Sequence, residues 1–174
     1  MGGDHSDFSG VVRPTTPADA AAVSRILRAS YEKLYRGWYR DDALEKALPA
    51  MTRANPVLLS SGRYFVVEMD RAVVACGGWS ADCPAGGAMD RRAHLRHFAT
   101  DPAYLNRGCA GAIVQRCFSA ARAAGYVEFE VISSLTAEAF YARRGFMQIA
   151  HVRQPMGGVD FACVLMRKKL EAAE

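Results

Sequence analysis

The segment from His94 to Ala124 constrains the fold more than any other part of the chain. It begins with a β-rich run, His94-Leu-Arg-His-Phe-Ala-Thr100, stopped by Asp101-Pro102. The loop Leu105-Asn-Arg-Gly-Cys-Ala-Gly111 follows and leads into a helical pattern over 110–124, with Ile113, Val114, Cys117, Phe118 and Ala121 on one side and Gly125 as its stop. Small residues at Gly108, Ala110 and Gly111 let backbone N–H groups come close to a ligand, and the helix presents its positive end to the same place. This is an anion site, and a pyrophosphate is its natural guest. The spacing is neither the dinucleotide fingerprint GxGxxG nor a nucleoside-triphosphate loop, since no Gly-Lys-(Ser/Thr) follows.

The flanking sequence is mixed α/β. Val11–Pro14 reads as a strand, and Thr16-Pro17 opens an amphipathic helix over 18–33 with Val23, Ile26 and Leu27 on its apolar face; Gly37 interrupts it. A second helix is expected over Asp41–Met51. Arg63–Met69 and Ala72–Trp79 form a hairpin turning at Asp70-Arg71. After the loop and its helix come a strand at 127–132, a short helix over 136–144 ended by Gly145, and strands at 146–152 and 159–166 separated by Pro155-Met-Gly-Gly158.

A chain of 174 residues suits one domain, expected over 11–170, with residues 1–10 as a disordered leader. That leader lacks a basic start and an apolar core, and no stretch is long enough to cross a bilayer, so no membrane association and a cytoplasmic location are expected. The five cysteines are dispersed, without a CxxC pair or a Cys/His cluster at zinc spacing, and read as reduced thiols. The formal charge of +4 comes from short separate clusters that require no nucleic acid.

Ala99-Thr-Asp-Pro102, Arg107-Gly-Cys-Ala-Gly-Ala112 and Ala139-Phe-Tyr-Ala-Arg-Arg-Gly-Phe146, in strand, loop, helix, strand, helix, strand order, resemble the GNAT N-acetyltransferase superfamily. The resemblance implies a single-domain α/β fold with a mixed, mostly antiparallel central sheet of six or seven strands flanked by about four helices. It implies acetyl-CoA as cosubstrate and direct acetyl transfer to a primary amine of a small molecule or peptide. The cofactor residues would be Phe98, Ala99, Thr100, Leu105, Asn106, Arg107, Gly108, Cys109, Ala110, Gly111, Ala112, Thr136 and Tyr141. Two positions depart from the family pattern. Leu105 stands where Arg or Gln is usual, so Arg107 is a candidate replacement contact; Thr136 stands where many members have Asn.

Acetyl transfer from a thioester needs a polarised carbonyl, a neutral amine and a proton for the departing thiolate. By the resemblance, backbone donors near Phe98–Thr100 serve the carbonyl and Tyr141 supplies the proton; the plain alternative is that Phe140-Tyr141 is a packed helix face. His94 is the leading base, against the alternative of a space-filling strand histidine. His97 would face the opposite side of the strand. Asp101 reads as a turn residue, Glu68 as a distant reserve base, and Cys109 as a loop-filling thiol at a helix end that would lower its pKa. The acceptor wall is expected from Tyr31, Tyr35, Trp38, Tyr39, Trp79 and the Met156-Gly157-Gly158 turn. A CoA-binding module without catalysis is the competing function, and an exposed sheet edge could pair into a homodimer.

Overall fold

The computed structural model describes residues 8–83, 86–87 and 90–171. Its strands are β1 (Val11–Pro14), β2 (Tyr64–Met69), β3 (Ala72–Ser80), β4 (Arg92–Thr100), β5 (Glu128–Ser134), β6 (Met147–Met156) and β7 (Val159–Lys169). Its helices are α1 (Ala20–Leu34), α2 (Asp41–Met51), α3 (Pro56–Leu59), α4 (Cys109–Ala123) and α5 (Glu138–Ala142), with 3₁₀ turns at Pro17–Asp19 and Pro102–Tyr104. Sequence pattern missed α3, a single turn too short to show periodicity; Asn55 caps it by accepting from the Val57 N–H.

The seven strands form one sheet in the order β1-β2-β3-β4-β5-β7-β6. Every neighbouring pair is antiparallel except β4 and β5, which α4 connects as a crossover. The β2–β3 hairpin turns where expected, with Asp70 and Arg71 at φ 53° and 63°, the left-handed pair of a two-residue turn.

Both faces of the sheet are covered, which explains why β2 is apolar at nearly every position instead of alternating. Phe65 and Val67 join Leu95, Phe129, Val131 and Val164 under α4, whose Ile113, Val114, Cys117, Phe118 and Ala121 are buried. Tyr64 and Val66 join Cys76, Phe161 and Cys163 under α1 and α2, which contribute Val23, Ile26, Leu27, Leu44 and Ala47. Of the leader expected over 1–10, residues 1–7 lie outside the described residues. Phe8 packs against the α4-side core, a correction to that reading that follows from the apolar area a phenyl ring can bury.

Two irregularities in the sheet position the site. The β4–β5 ladder holds only Arg92–His94 against Glu128–Glu130, although both strands continue well beyond it. On its other edge, β4 carries a bulge against β3: Cys76 faces Ala99 and Gly78 faces Arg96, so two residues, His97 and Phe98, oppose Gly77 alone. His97 takes up the extra residue with φ 57°. A Cβ on Gly77 would lie 2.6 Å from the Phe98 ring, so glycine is what lets the bulged strand sit against its neighbour.

Candidate active site

Beyond the three ladder pairs, residues 95–100 of β4 and 131–134 of β5 line one open cleft of about 1260 Å³. Backbone alternation decides which β4 donors face it. The Asp101 N–H bonds to the Val74 carbonyl on the β3 side at 2.8 Å, so the Thr100 N–H one residue back points to the cleft side. Tyr31 and Tyr64 donate to the Phe98 and His97 carbonyls at 2.9 and 2.6 Å, pinning the bulge from the α1 side.

The α4 N-terminus opens into the same cleft. Gly108, at φ 77°, turns the chain into the helix, after Asn106 at φ 60°. The first intrahelical bond runs from the Ala112 N–H to the Gly108 carbonyl at 2.9 Å, so the N–H groups of Cys109, Ala110 and Gly111 have no helical acceptor. A Cβ on Gly111 would lie 2.8 Å from Arg144 Nη2; the glycine leaves room for a guanidinium over the helix end. Arg144 stacks 3.6 Å from the Phe140 ring centroid and donates to the Phe140 carbonyl at 3.0 Å. Three free amides, a helix dipole and an arginine converge, which suits a pyrophosphate. Thr136 also lines the cleft, and its buried Oγ1 has no partner among the described residues. An orphaned hydroxyl beside two unladdered strand edges is what an amide-bearing arm would satisfy, so these residues fit coenzyme A.

Tyr141 is buried at the cleft wall, edge-on to Phe98 with ring centroids 6.4 Å apart. Burial raises its phenol well above the usual range, which keeps it protonated at neutral pH. Cys109 is buried in the α4-side core, and desolvation pushes its thiol up, against the lowering expected from a helix end.

Phe98, Ala99, Thr100, Leu105, Asn106, Gly108, Cys109, Ala110, Gly111, Ala112, Thr136 and Tyr141 all line the cleft; of the expected cofactor residues Arg107 does not, nor does the leading base. Arg107 turns away, with its guanidinium 5.0 Å from the Tyr104 ring centroid and Nη1 4.0 Å from Met69 Sδ, so it does not replace the side chain missing at Leu105. His94 is absent from the cleft wall and buried against Glu130, which corrects its assignment as leading base. His97 lines the cleft instead: strict alternation would set it opposite His94, and the bulge overrides that count. Its Nε2 lies 2.8 Å from the Met51 carbonyl; an oxygen that can only accept makes Nε2 the protonated nitrogen and leaves Nδ1 as a lone pair. Desolvation lowers the His97 pKa, so the ring is neutral at pH 7.

Glu68 pairs with Arg13 at 2.8 Å on the far side of the sheet. Asp101 is the turn residue expected, capping Ala103 and pairing with Arg25. On the acceptor side Tyr31, Tyr35 and Met156 line the cleft. Trp79 does not: it is buried against Tyr126 and Phe129, with Arg63 over its ring. Trp38 projects outward, 57% exposed, and Tyr39 is a strut, stacked on Phe161 at 3.9 Å while donating to the Ala162 carbonyl and accepting from the Leu135 N–H. Sequence reasoning missed Arg144, Ser133, Ser134 and the Met51–Asn55 segment. Of these only Arg144, inside the Phe140–Phe146 block, carried a sequence signal.

Residues 50–170 match the family model described as an acetyltransferase (GNAT) domain. No curated protein sequence matches the chain. Among solved structures, a GCN5-related N-acetyltransferase from Rhodopseudomonas palustris is similar, with TM-score 0.77 and 22% identity over 92% of this chain and 96% of that one. The PaiA N-acetyltransferase from Thermoplasma acidophilum, in complex with coenzyme A, gives TM-score 0.70 and 15% identity over 92% and 99%. The ribosomal-protein-S18-alanine N-acetyltransferase from Escherichia coli gives TM-score 0.62 and 15% identity over 95% and 96%.

Proposed function

Because the chain belongs to the GNAT acetyltransferase family, we propose that its cleft binds acetyl-CoA and transfers the acetyl group to a primary amine by direct attack. The observation that carries this reading is that one cleft joins the free α4 N-terminus, the unladdered edge of β4 and a protonated, buried tyrosine. Acetyl-CoA, when bound, supplies an acetyl group activated as a thioester.

The chain's residues divide the work. The N–H groups of Cys109, Ala110 and Gly111, with Arg144 above them, hold the pyrophosphate; Arg144 supplies the charge that Leu105 lacks. The Phe98 and Thr100 N–H groups polarise the thioester carbonyl. Tyr141 gives its proton to the departing thiolate, a role its raised pKa suits at neutral pH. His97, through its free Nδ1 and a water, takes the proton from the incoming ammonium. Among the described residues, no Asp or Glu lines the cleft, whereas Arg53 and His97 do. An amine on an apolar or anionic body fits this wall better than a polyamine does.

The test is acetyl-CoA titration followed by melting temperature, then thiol release over a broad amine panel. Saturable protection with amine-dependent release is expected. Protection without release for any amine would favour a CoA-binding module without catalysis, and no protection would overturn the whole reading.

A further inference from the structure

Away from the cleft, Cys83, His94 and Glu130 each bring one potential ligand atom within 4.8 Å of the others. The trio follows no sequence spacing motif. Sheet register assembles it: His94 lies opposite Glu130 across the parallel ladder and opposite Ser80 at the end of β3, three residues before Cys83.

His94 is the anomaly in this cluster. It is 1% exposed, and neither ring nitrogen has a hydrogen-bond partner among the described residues. Its Nδ1 stands 3.4 Å from Glu130 Oε1, yet the two do not form a hydrogen bond. Leaving a buried imidazole in that state is costly unless something completes it. Glu130 is held from its other side: Arg167 Nε donates to Oε2 at 2.7 Å and Arg92 Nη1 lies 3.6 Å from the same oxygen, which leaves Oε1 turned to His94.

We propose that Cys83, His94 and Glu130 form a zinc site. Ligand bonds of about 2.0–2.3 Å in tetrahedral geometry set ligand atoms roughly 3.3–3.8 Å apart, and the 3.4 Å separation matches one such edge. An imidazole and a carboxylate that stand this close without a hydrogen bond have ligand atoms left for one ion. Thiolate with imidazole selects zinc over magnesium or calcium. Thiolate and carboxylate together match the dication's charge, and the proton displaced from the thiol leaves to solvent. Arg167 on Oε2 orients the carboxylate as outer-shell donors commonly do; Arg92 donates to Glu128 Oε2 at 2.6 Å, and the third nearby cation, Arg96, is turned to Ser80 Oγ at 3.0 Å. Cys83 is partly exposed, so water can take the fourth position. The ion would tie the segment after β3 to the β4–β5 ladder, the short pairing from which the cleft opens.

The test titrates cobalt(II), then zinc(II), into the full metal-free chain. Expected are one equivalent of cobalt with a near-ultraviolet thiolate-to-cobalt charge-transfer band, displacement of that band by zinc, and a zinc-dependent rise in melting temperature. Cys83→Ser and His94→Gln should each abolish the band and the rise while keeping the circular dichroism of the parent and its protection by acetyl-CoA. No stoichiometric step, or a band that survives in Cys83→Ser, overturns the proposal. Should His94→Gln fail to fold, Cys83→Ser at its partly exposed position decides alone.

Discussion

Gly108 illustrates how much one residue can carry. At φ 77° it occupies the left-handed region while starting α4 and freeing the helix amides. Gly108→Ala should lower stability by about 1–2 kcal/mol, the cost of forcing a Cβ into that region, readable in urea unfolding, and should weaken acetyl-CoA binding at the same time. Tyr141 carries a different burden. Tyr141→Phe removes the proposed proton donor and keeps the packed ring, so turnover should fall by roughly 10²-fold while the dissociation constant for acetyl-CoA, measured by calorimetry, changes little. An equal loss of binding would mean that the hydroxyl holds the cofactor and does not serve the departing thiolate. Leu105, the position that looked like a weakness in the loop, borders the same cleft as Arg144, a cation with no carboxylate partner among the described residues.

Among the elements, β4 does most to make the site. Its first three residues ladder with β5, and its bulge against Gly77 re-aims His97 and Phe98. Gly77→Ala would bring a Cβ to 2.6 Å from the Phe98 ring, which must then move against Tyr141. Stability should drop by about 1–3 kcal/mol from overpacking, and thiol release should fall with it; an active variant of unchanged melting temperature would show that the ring shifts freely. Helix α4 contributes from the other end, where its buried face fixes the axis that aims the amides at the cleft.

Across the whole molecule, two cores sandwich one sheet, and each helix layer can be probed separately. Ile26 on α1 and Ile113 on α4 are both fully buried, so replacing either with Ala should cost about 2–5 kcal/mol. Sitting in separate cores, the two losses should add within about 0.5 kcal/mol in a double variant measured by denaturant titration. Stability should also depend on pH through His97. Its folded pKa lies below the unfolded value of about 6.5, with desolvation the main cause and Arg96 a further one, against the raising effect of the Met51 carbonyl. The unfolded chain therefore binds the proton more readily. The contribution is full above about pH 6.5 and is lost as pH falls through the depressed folded value. His97→Gln should flatten that limb of the stability profile; an unaltered slope would place the titration elsewhere.

Sequence alone determined what local chemistry dictates. Hydrophobic period marked α1, α2 and α4, two β-rich runs parted by two residues marked the β2–β3 hairpin, and the small residues from Gly108 to Gly111 marked the turn into α4; each signal lies within a few residues of its effect. Tertiary structure decided whatever rests on register between distant segments. The bulge placed His97 in the cleft, because one extra residue changes which face every later side chain takes, and the β4–β5 ladder holds His94 outside it. Packing turned Arg107 away from the loop and buried Trp79 in the core, although composition could favour either as a site residue. The meeting of Cys83, His94 and Glu130 belongs to the same class, since only the pairing of three strands brings those side chains to one point.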